Sequence, residues 1–249
     1  MEPNSHTKWG QFIPLVTVFF FWGFVAASND ILIPVFRQAF DLTQSQSQLV
    51  SLAFYIAYTV GSLIYMGISM LLKKDVINTI GYKNGLALGL VISAFGTLLF
   101  YPAANLGSFP LMLSGLFIVG LGFSLQQTVA NPLAIILGNP SEGSQRLSLA
   151  GGINNIGTTI GPLIVAFAIF GKVGANTDID VSSVKIPYLI LGLSFLAAAY
   201  FFMKSSIPDH IATSDEIDVS TAQDNKSVFR YPQLYLGMIA IFVYVGVEV

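Results

Sequence analysis

The sequence predicts an all-helical protein that crosses a lipid bilayer several times. Of its 249 residues, 54% are hydrophobic and only 10% are charged. The apolar residues gather in runs of about 20, the length of helix that crosses a bilayer. A soluble domain cannot bury that much apolar surface while it displays so little charge. The chain contains no cysteine, which excludes disulfides, thiolate nucleophiles and Cys-ligated metals.

Six complete spans and the start of a seventh can be placed along the chain. They are predicted at 11–37, 47–72, 84–104, 109–138, 147–171 and 186–204, and the seventh begins at Gln233. The first run is too long for a signal peptide and lacks a small-residue cleavage motif, so we expect a retained helix. Because an apolar run is still in progress at Val249, we expect the chain to be part of a longer protein.

The one long polar stretch, 205–232, divides the predicted domains. It is acidic and rich in Ser and Asp, which predicts a flexible cytoplasmic linker between a six-helix domain at 1–204 and the truncated helix at 233–249. With the N-terminus in the cytoplasm, eight of the 11 Lys and Arg residues fall on the cytoplasmic side, as the positive-inside rule requires. This outline is typical of a transporter built from two six-helix halves, although channels and membrane enzymes can also have six spans.

Asp30 is the polar residue that this environment makes most costly. Asp30 and Glu248 are the two carboxylates within predicted spans, and no Lys, Arg or His lies deep in a span. Ionisable residues at such positions are usually functional, so Asp30 is predicted to exchange protons or to bind a cation such as sodium. The alternative is a solvated residue near the outer surface. Pro34 removes the backbone hydrogen bond to the carbonyl of Asp30, which predicts either an interrupted helix of the kind found at transporter sites or an ordinary kink.

Amide side chains recur in the fourth and fifth spans. Gln127 and Asn131 are four residues apart and share a helix face, as do Asn154 and Thr158. Amides both donate and accept hydrogen bonds, which suits a polyhydroxy ligand such as a sugar. Interhelical hydrogen bonds that hold the bundle together are the alternative for each. Together with Asp30, these amides predict a shared polar cavity.

Aromatic residues could complete such a cavity by stacking on the apolar face of a sugar. The candidates are Trp22, Phe24, Tyr55 and Tyr58, but packing and interfacial anchoring are the commoner roles of such residues in membrane helices. No nucleotide-binding loop, zinc-protease motif or serine triad is present. We therefore expect no enzyme activity, no cofactor and no nucleic-acid partner.

Several motifs, in order along the chain, resemble one family of transporters. They are FFFWGFVAASNDILIPVFRQAFDLTQSQSQLVSLAFY, IGYKNG followed by LFYPAA, LQQTVANP, RLSLAGGINNIGTTIGP and FVYVGVEV. The family is the fucose permease type of sugar transporter, in the fucose–galactose–glucose symporter group of the major facilitator superfamily. The resemblance implies twelve helices in two domains around a central sugar site, which work by alternating access. The expected fold is thus an all-α membrane protein, with the superfamily's N-terminal six-helix bundle plus the start of helix 7.

The resemblance also implies roles for individual residues. Asp30 falls on the family's first-helix carboxylate, which is implicated in proton coupling and sugar binding, and Asn154 falls on its helix-five asparagine. Gln127 falls where the fucose permease has a second coupling carboxylate. Because glutamine cannot titrate, this departure fits the glucose/galactose branch better, and some members of that branch are sodium-driven. Gly151 replaces a glutamine that lines the fucose site, and Thr79 replaces an arginine of the loop signature between helices two and three.

The sequence therefore predicts a secondary active importer of a monosaccharide, with glucose or galactose ahead of fucose, coupled to Na⁺ or H⁺. It would lie in the inner (plasma) membrane as a multi-pass protein with a cytoplasmic N-terminus. Asp30 would couple the cation, with sodium bound there if sodium is the ion. The predicted substrate-binding residues are Asn29, Asp30, Gln127, Asn131, Asn154, Trp22 and Tyr55. The alternatives are a non-transporting sugar sensor or scaffold, and a passive sugar facilitator.

Overall fold

The computed structural model describes residues 7–72, 76–170, 181–205, 207 and 231–248. It forms two compact units, Met1–His210 and Ile211–Val249. Six helices in the described residues are long and apolar enough to cross a membrane, at 9–39, 44–72, 82–105, 109–136, 143–170 and 181–204. The predicted all-helical membrane fold with six spans is therefore confirmed. Most of the predicted linker at 205–232 lies outside the described residues, as do residues 73–75 of the loop between the second and third spans. The domain boundaries remain a prediction.

The described residues of the first unit form nine helices, some of them separated by a single residue. The helices are α1 (Trp9–Ala39), α2 (Gln44–Ser47), α3 (Leu49–Leu72), α4 (Val76–Ile80), α5 (Tyr82–Leu98), α6 (Phe100–Asn105), α7 (Phe109–Ile136), α8 (Gly143–Phe170) and α9 (Lys185–Lys204). Short 3-10 turns precede α8 and α9, at Pro140–Glu142 and Val181–Val184. In the second unit, α10 runs over Pro232–Glu248.

Local sequence signals explain where several helices begin. Thr43 and Gln46 form a capping box at the start of α2, in which each side chain bonds the other residue's backbone N–H. At the start of α7 the Ser108 hydroxyl accepts the backbone N–H of Leu111 at 3.4 Å. Gly81 precedes α5 with φ of 88°, a left-handed conformation that favours glycine.

Close helix pairs organise the bundle. α1 packs mainly on α8, α3 mainly on α7, and α5 on both α7 and α9. The α1–α8 pair is close because it meets through glycine: a Cβ at Gly157 would overlap the backbone carbonyl oxygen of Phe20. Small residues that bring backbones together are the usual basis of helix association in membranes.

An aromatic stack fills the bundle near the C-terminal end of α1. Phe36 stacks on Phe100 at a ring-centroid distance of 6.2 Å, and Phe100 stacks on Tyr188 at 4.2 Å. Phe36 and Phe100 are fully buried. The stack fixes which face of α1 points inward, and Asp30 and Pro34 lie exposed on another face.

Pro34 does not interrupt its helix. α1 continues from Trp9 to Ala39 and contains both Pro14 and Pro34. The interrupted-helix alternative is therefore wrong for this conformation. Since proline has no N–H, the effect of Pro34 is to leave the Asp30 carbonyl without its usual helical partner inside a continuous helix.

Candidate functional site

Asp30 is an exposed carboxylate in the C-terminal half of the membrane-length helix α1. Within the part of the chain that the structure describes, it makes no hydrogen bond and no ion pair. The nearest cation along α1 is Arg37, whose Nη1 donates to Gln44 Oε1 at 2.6 Å. Arg37 lies about 10 Å further along the axis at 1.5 Å per residue, too far for a direct pair with Asp30.

Asn29 is buried, whereas its neighbour Asp30 is exposed. Its side chain is only 4% exposed, and neither Oδ1 nor Nδ2 has a hydrogen-bond partner among the described residues. Buried polar side chains almost always find a partner, because an unpaired amide in a low-dielectric interior is costly. Asn29 is therefore an exception that local packing does not explain.

The amides of the fourth and fifth spans differ in their bonding. Gln127 and Asn131 on α7 are partly buried. Asn154 on α8 donates from Nδ2 to the backbone carbonyl of Phe19 on α1 at 2.9 Å. Asn154 thus makes the interhelical hydrogen bond that the sequence left open as an alternative, and its Oδ1 keeps its acceptor capacity.

Contacts between helices fix the relative depth of these residues. The Trp22 indole N–H donates to Gln126 Oε1 at 3.1 Å, which places Gln127 near the level of Trp22. The Asn154–Phe19 bond places Asn154 close to the same level. Asp30 is eight residues beyond Trp22 on α1, or about 12 Å along the axis. The structure therefore brings Gln127 and Asn154 to one depth and sets Asp30 about two turns away.

The two aromatic residues among the predicted substrate-binding residues, Trp22 and Tyr55, differ in exposure. Trp22 is 3% exposed and its ring lies 4.5 Å from that of Phe19, so neither ring face is open to a ligand in this conformation. Tyr55 on α3 is 52% exposed and makes an edge-on contact with Phe54 at 6.0 Å. Of the two, Tyr55 has the accessible ring that stacking needs.

Sequence reasoning missed two buried polar residues. Gln126 is fully buried and bonded at both ends of its amide. A signal for it existed, since Gly122 lies four residues earlier and marks a closely packed face of α7. Arg146, for which the sequence predicts only a place among the basic residues of the cytoplasmic side, is 4% exposed. Its Nε donates to the Ala134 carbonyl at 3.1 Å and its Nη2 to the Asn139 carbonyl at 2.8 Å, which caps the end of α7.

The described residues offer few ligands for a metal or cation. They contain no group of three or more His, Cys, Asp or Glu side chains that could hold a metal ion. A cation at Asp30 would thus have one carboxylate in the described residues, and its other ligands would be neutral oxygens. Na⁺ accepts carbonyl and amide oxygens, and a proton needs the carboxylate alone.

Comparison with known proteins agrees with this architecture. Residues 11–248 match the Major Facilitator Superfamily. A glucose/galactose transporter of Brucella abortus biovar 1 (strain 9-941) is 37% identical over 250 residues, covering 100% of this chain and 58% of that protein. The L-fucose-proton symporter of Escherichia coli (strain K12) is 32% identical over 256 residues, covering 95% and 56%. The crystal structure of FucP, a superfamily transporter in the outward conformation, matches with a TM-score of 0.65 and 32% identity, covering 84% of this chain and 53% of that one.

These observations define a multi-pass helical membrane protein. The chain belongs to the Major Facilitator Superfamily. Within the superfamily, its resemblance to the fucose permease type of sugar transporter is confirmed. The chain spans a little over half of the length of these relatives.

Proposed function

We propose that this chain forms part of a secondary active transporter that imports a monosaccharide together with a cation by alternating access. Glucose or galactose is the expected substrate, ahead of fucose, and the cation is Na⁺ or H⁺. The protein would lie in the inner (plasma) membrane with its N-terminus in the cytoplasm, an orientation that the distribution of Lys and Arg supports. Members of this superfamily are transporters, and we propose no catalytic role.

The observation that carries the proposal is the Asp30 carboxylate. It is exposed on a membrane-length helix and has no ionic or hydrogen-bonding partner in the described residues. A charge in such a place is costly and persists where it has a function. Binding a proton or a sodium ion would neutralise Asp30, and that neutralisation can be linked to the state of the transporter. This is the property that coupling to an ion gradient requires.

Neutral polar groups supply the expected sugar contacts. Gln127 and Asn131 on α7 are partly accessible, and Asn154 retains a free acceptor beside its bond to Phe19. Hydroxyl groups of a sugar can both donate to and accept from such amides. The resemblance implies a carboxylate at the position of Gln127 in the fucose permease, so a neutral amide there favours glucose or galactose. The 37% identity to a protein described as a glucose/galactose transporter supports the same preference.

Uptake into proteoliposomes tests the proposal. The intact transporter that contains this chain would be reconstituted and supplied with labelled glucose, galactose or fucose, while the sodium gradient and the pH gradient are varied independently. Uphill accumulation that follows one gradient and disappears when an ionophore collapses it is the expected result. Equilibration without accumulation would instead indicate a passive facilitator. Saturable sugar binding without any uptake would indicate a sensor or scaffold.

A further inference from the structure

A chain of buried polar side chains crosses the interior of the first unit. The indole N–H of Trp22 donates to Gln126 Oε1 at 3.1 Å, and Gln126 Nε2 donates to Ser93 Oγ at 3.0 Å. Ser93 Oγ in turn donates to the Val119 carbonyl at 3.3 Å. Gln126 and Ser93 are fully buried, and Trp22 is 3% exposed. Each polar atom of the Gln126 amide is thus bonded inside the bundle.

This polar chain ties α1 to α7 and α5, two helices that pack closely on each other but hardly on α1. α1 packs mainly on α8, whereas α7 packs mainly on α3 and α5. The Trp22–Gln126 bond links α1 to α7, and the Gln126–Ser93 bond links α7 to α5. Glycines make the space: a Cβ at Gly89 would overlap the Gln126 side chain, and one at Gly122 would overlap Ser93. The Gln126 amide and the Ser93 hydroxyl therefore occupy space that the missing side chains of Gly89 and Gly122 leave open.

Two members of the polar chain adjoin the backbone of candidate sugar-binding residues. Successive residues of a helix point about 100° apart, so fixing Gln126 inward determines the direction of Gln127. On α1, Gly23 follows Trp22 and lies directly against the backbone carbonyl of Asn154. A rotation of α7 or a shift of α1 would thus move Gln127 and Asn154 relative to each other.

We propose that Gln126 is a positioning residue, which with Trp22 and Ser93 sets the rotation of α7 against α1 so that Gln127 and Asn154 face one sugar. This inference rests on the proposed sugar transport. Gln126 does not touch the sugar; it acts through its neighbours. A hydrogen bond inside a low-dielectric bundle has a strong directional preference, so the amide specifies one rotation where apolar packing would tolerate several.

The test is a pair of substitutions in the intact transporter. Gln126→Met keeps the length of the side chain and removes both hydrogen bonds, and Ser93→Ala removes the acceptor for Nε2. We expect Gln126→Met to raise the KM for the transported hexose about tenfold, the effect of misplacing one or two hydrogen bonds to the ligand. Ser93→Ala should raise KM about threefold, since one of the two bonds remains. The maximal rate per folded transporter should stay within about twofold of wild type, because uniform binding is what is lost.

Thr97→Val is the matched control. Thr97 is also fully buried on α5, but its hydroxyl donates only to carbonyls of its own helix, at Ser93 and Ala94. The KM of the Thr97→Val variant should equal that of wild type, whatever effect the substitution has on the amount of folded protein. Trp22→Phe combined with Gln126→Met should raise KM no further than Gln126→Met alone, because both changes break the same bond.

The outcomes separate this inference from the proposed function. Wild-type transporter without saturable sugar uptake would remove the proposed function, and the inference with it. Wild-type uptake with an unchanged KM in Gln126→Met and Ser93→Ala would overturn the inference alone. If Gln126→Met fails to fold, Ser93→Ala measured against Thr97→Val decides: an equal KM in those two variants refutes the positioning role.

Discussion

Replacing the Asn29 amide by an apolar side chain, Leu or Val, is expected to stabilise the protein and to impair transport. The Asn29 amide is 4% exposed and has no hydrogen-bond partner for either polar atom in the described residues. Leaving such a group unpaired in the interior costs about 1–3 kcal/mol. Leu has the same branching at Cγ and removes this cost, while its larger methyl groups can return about 1–3 kcal/mol of strain through overpacking. The smaller Asn29→Val variant avoids that strain, so the better of the two should be stabilised by about 1–3 kcal/mol.

Thermal unfolding of the intact, detergent-solubilised transporter measures this effect. A change of 1 kcal/mol moves Tm by roughly 2–4 °C in a folding unit of 150–250 residues, the size of the first unit, Met1–His210. The better variant should therefore gain at least about 2 °C. Uptake by the same variants in proteoliposomes should fall, since an amide kept at an energetic cost is expected to serve the ligand. Opposite changes in stability and transport are the expected signature.

Asn154→Leu is the matched comparison, because Asn154 Nδ2 is bonded to the Phe19 carbonyl. This variant should lose about 1 kcal/mol of stability, the usual contribution of one such bond. If both Asn29 variants lose as much stability as Asn154→Leu does, the Asn29 amide has a structural partner in the folded protein and the reasoning fails. If they gain stability and transport normally, Asn29 is not a substrate-binding residue.

Three further outcomes are expected. Asp30→Asn should abolish uphill accumulation and leave sugar exchange by counterflow partly intact, because the amide can bond a sugar but has no negative charge for a proton or a sodium ion to neutralise. Full accumulation by this variant would remove Asp30 from the coupling role. Arg146→Met should lower the free energy of unfolding by about 3 kcal/mol, because buried carbonyls at the end of α7 lose their donor. Glu142→Gln should change the free energy of unfolding by less than about 1 kcal/mol, because the ion pair between Glu142 and Arg146 is partly exposed. Gly157→Ala should markedly reduce the yield of folded protein because its Cβ meets the α1 backbone, and Gly152→Ala, with nothing within 4 Å of the added Cβ, should fold normally.

The sequence predicted the membrane spans well because one physical term dominates them. A bilayer requires about 20 apolar residues per helix whatever the packing, so span ends can be located from composition alone. The predicted first span at 11–37 corresponds to Trp9–Ala39, and the fourth at 109–138 to Phe109–Ile136. The cost of a carboxylate in such a helix also made Asp30 conspicuous without any structure. Each of these predictions depends only on a single helix and the lipid around it, and not on the neighbouring helices.

The rotation of each helix could not be predicted in this way, because it depends on its neighbours. Gln126 and Gln127 are adjacent and chemically identical, and the resemblance singled out the second one only. Which of the two points inward is decided by Ser93 and Trp22, on helices remote in the sequence. The same contacts set depth, so that Asp30, grouped with the amides by its polarity, lies about two turns away from them. If a sugar binds at the level of Gln127, Asp30 does not need to touch it. α1 is one continuous helix from Trp22 to Asp30, so a movement of this helix changes both levels together.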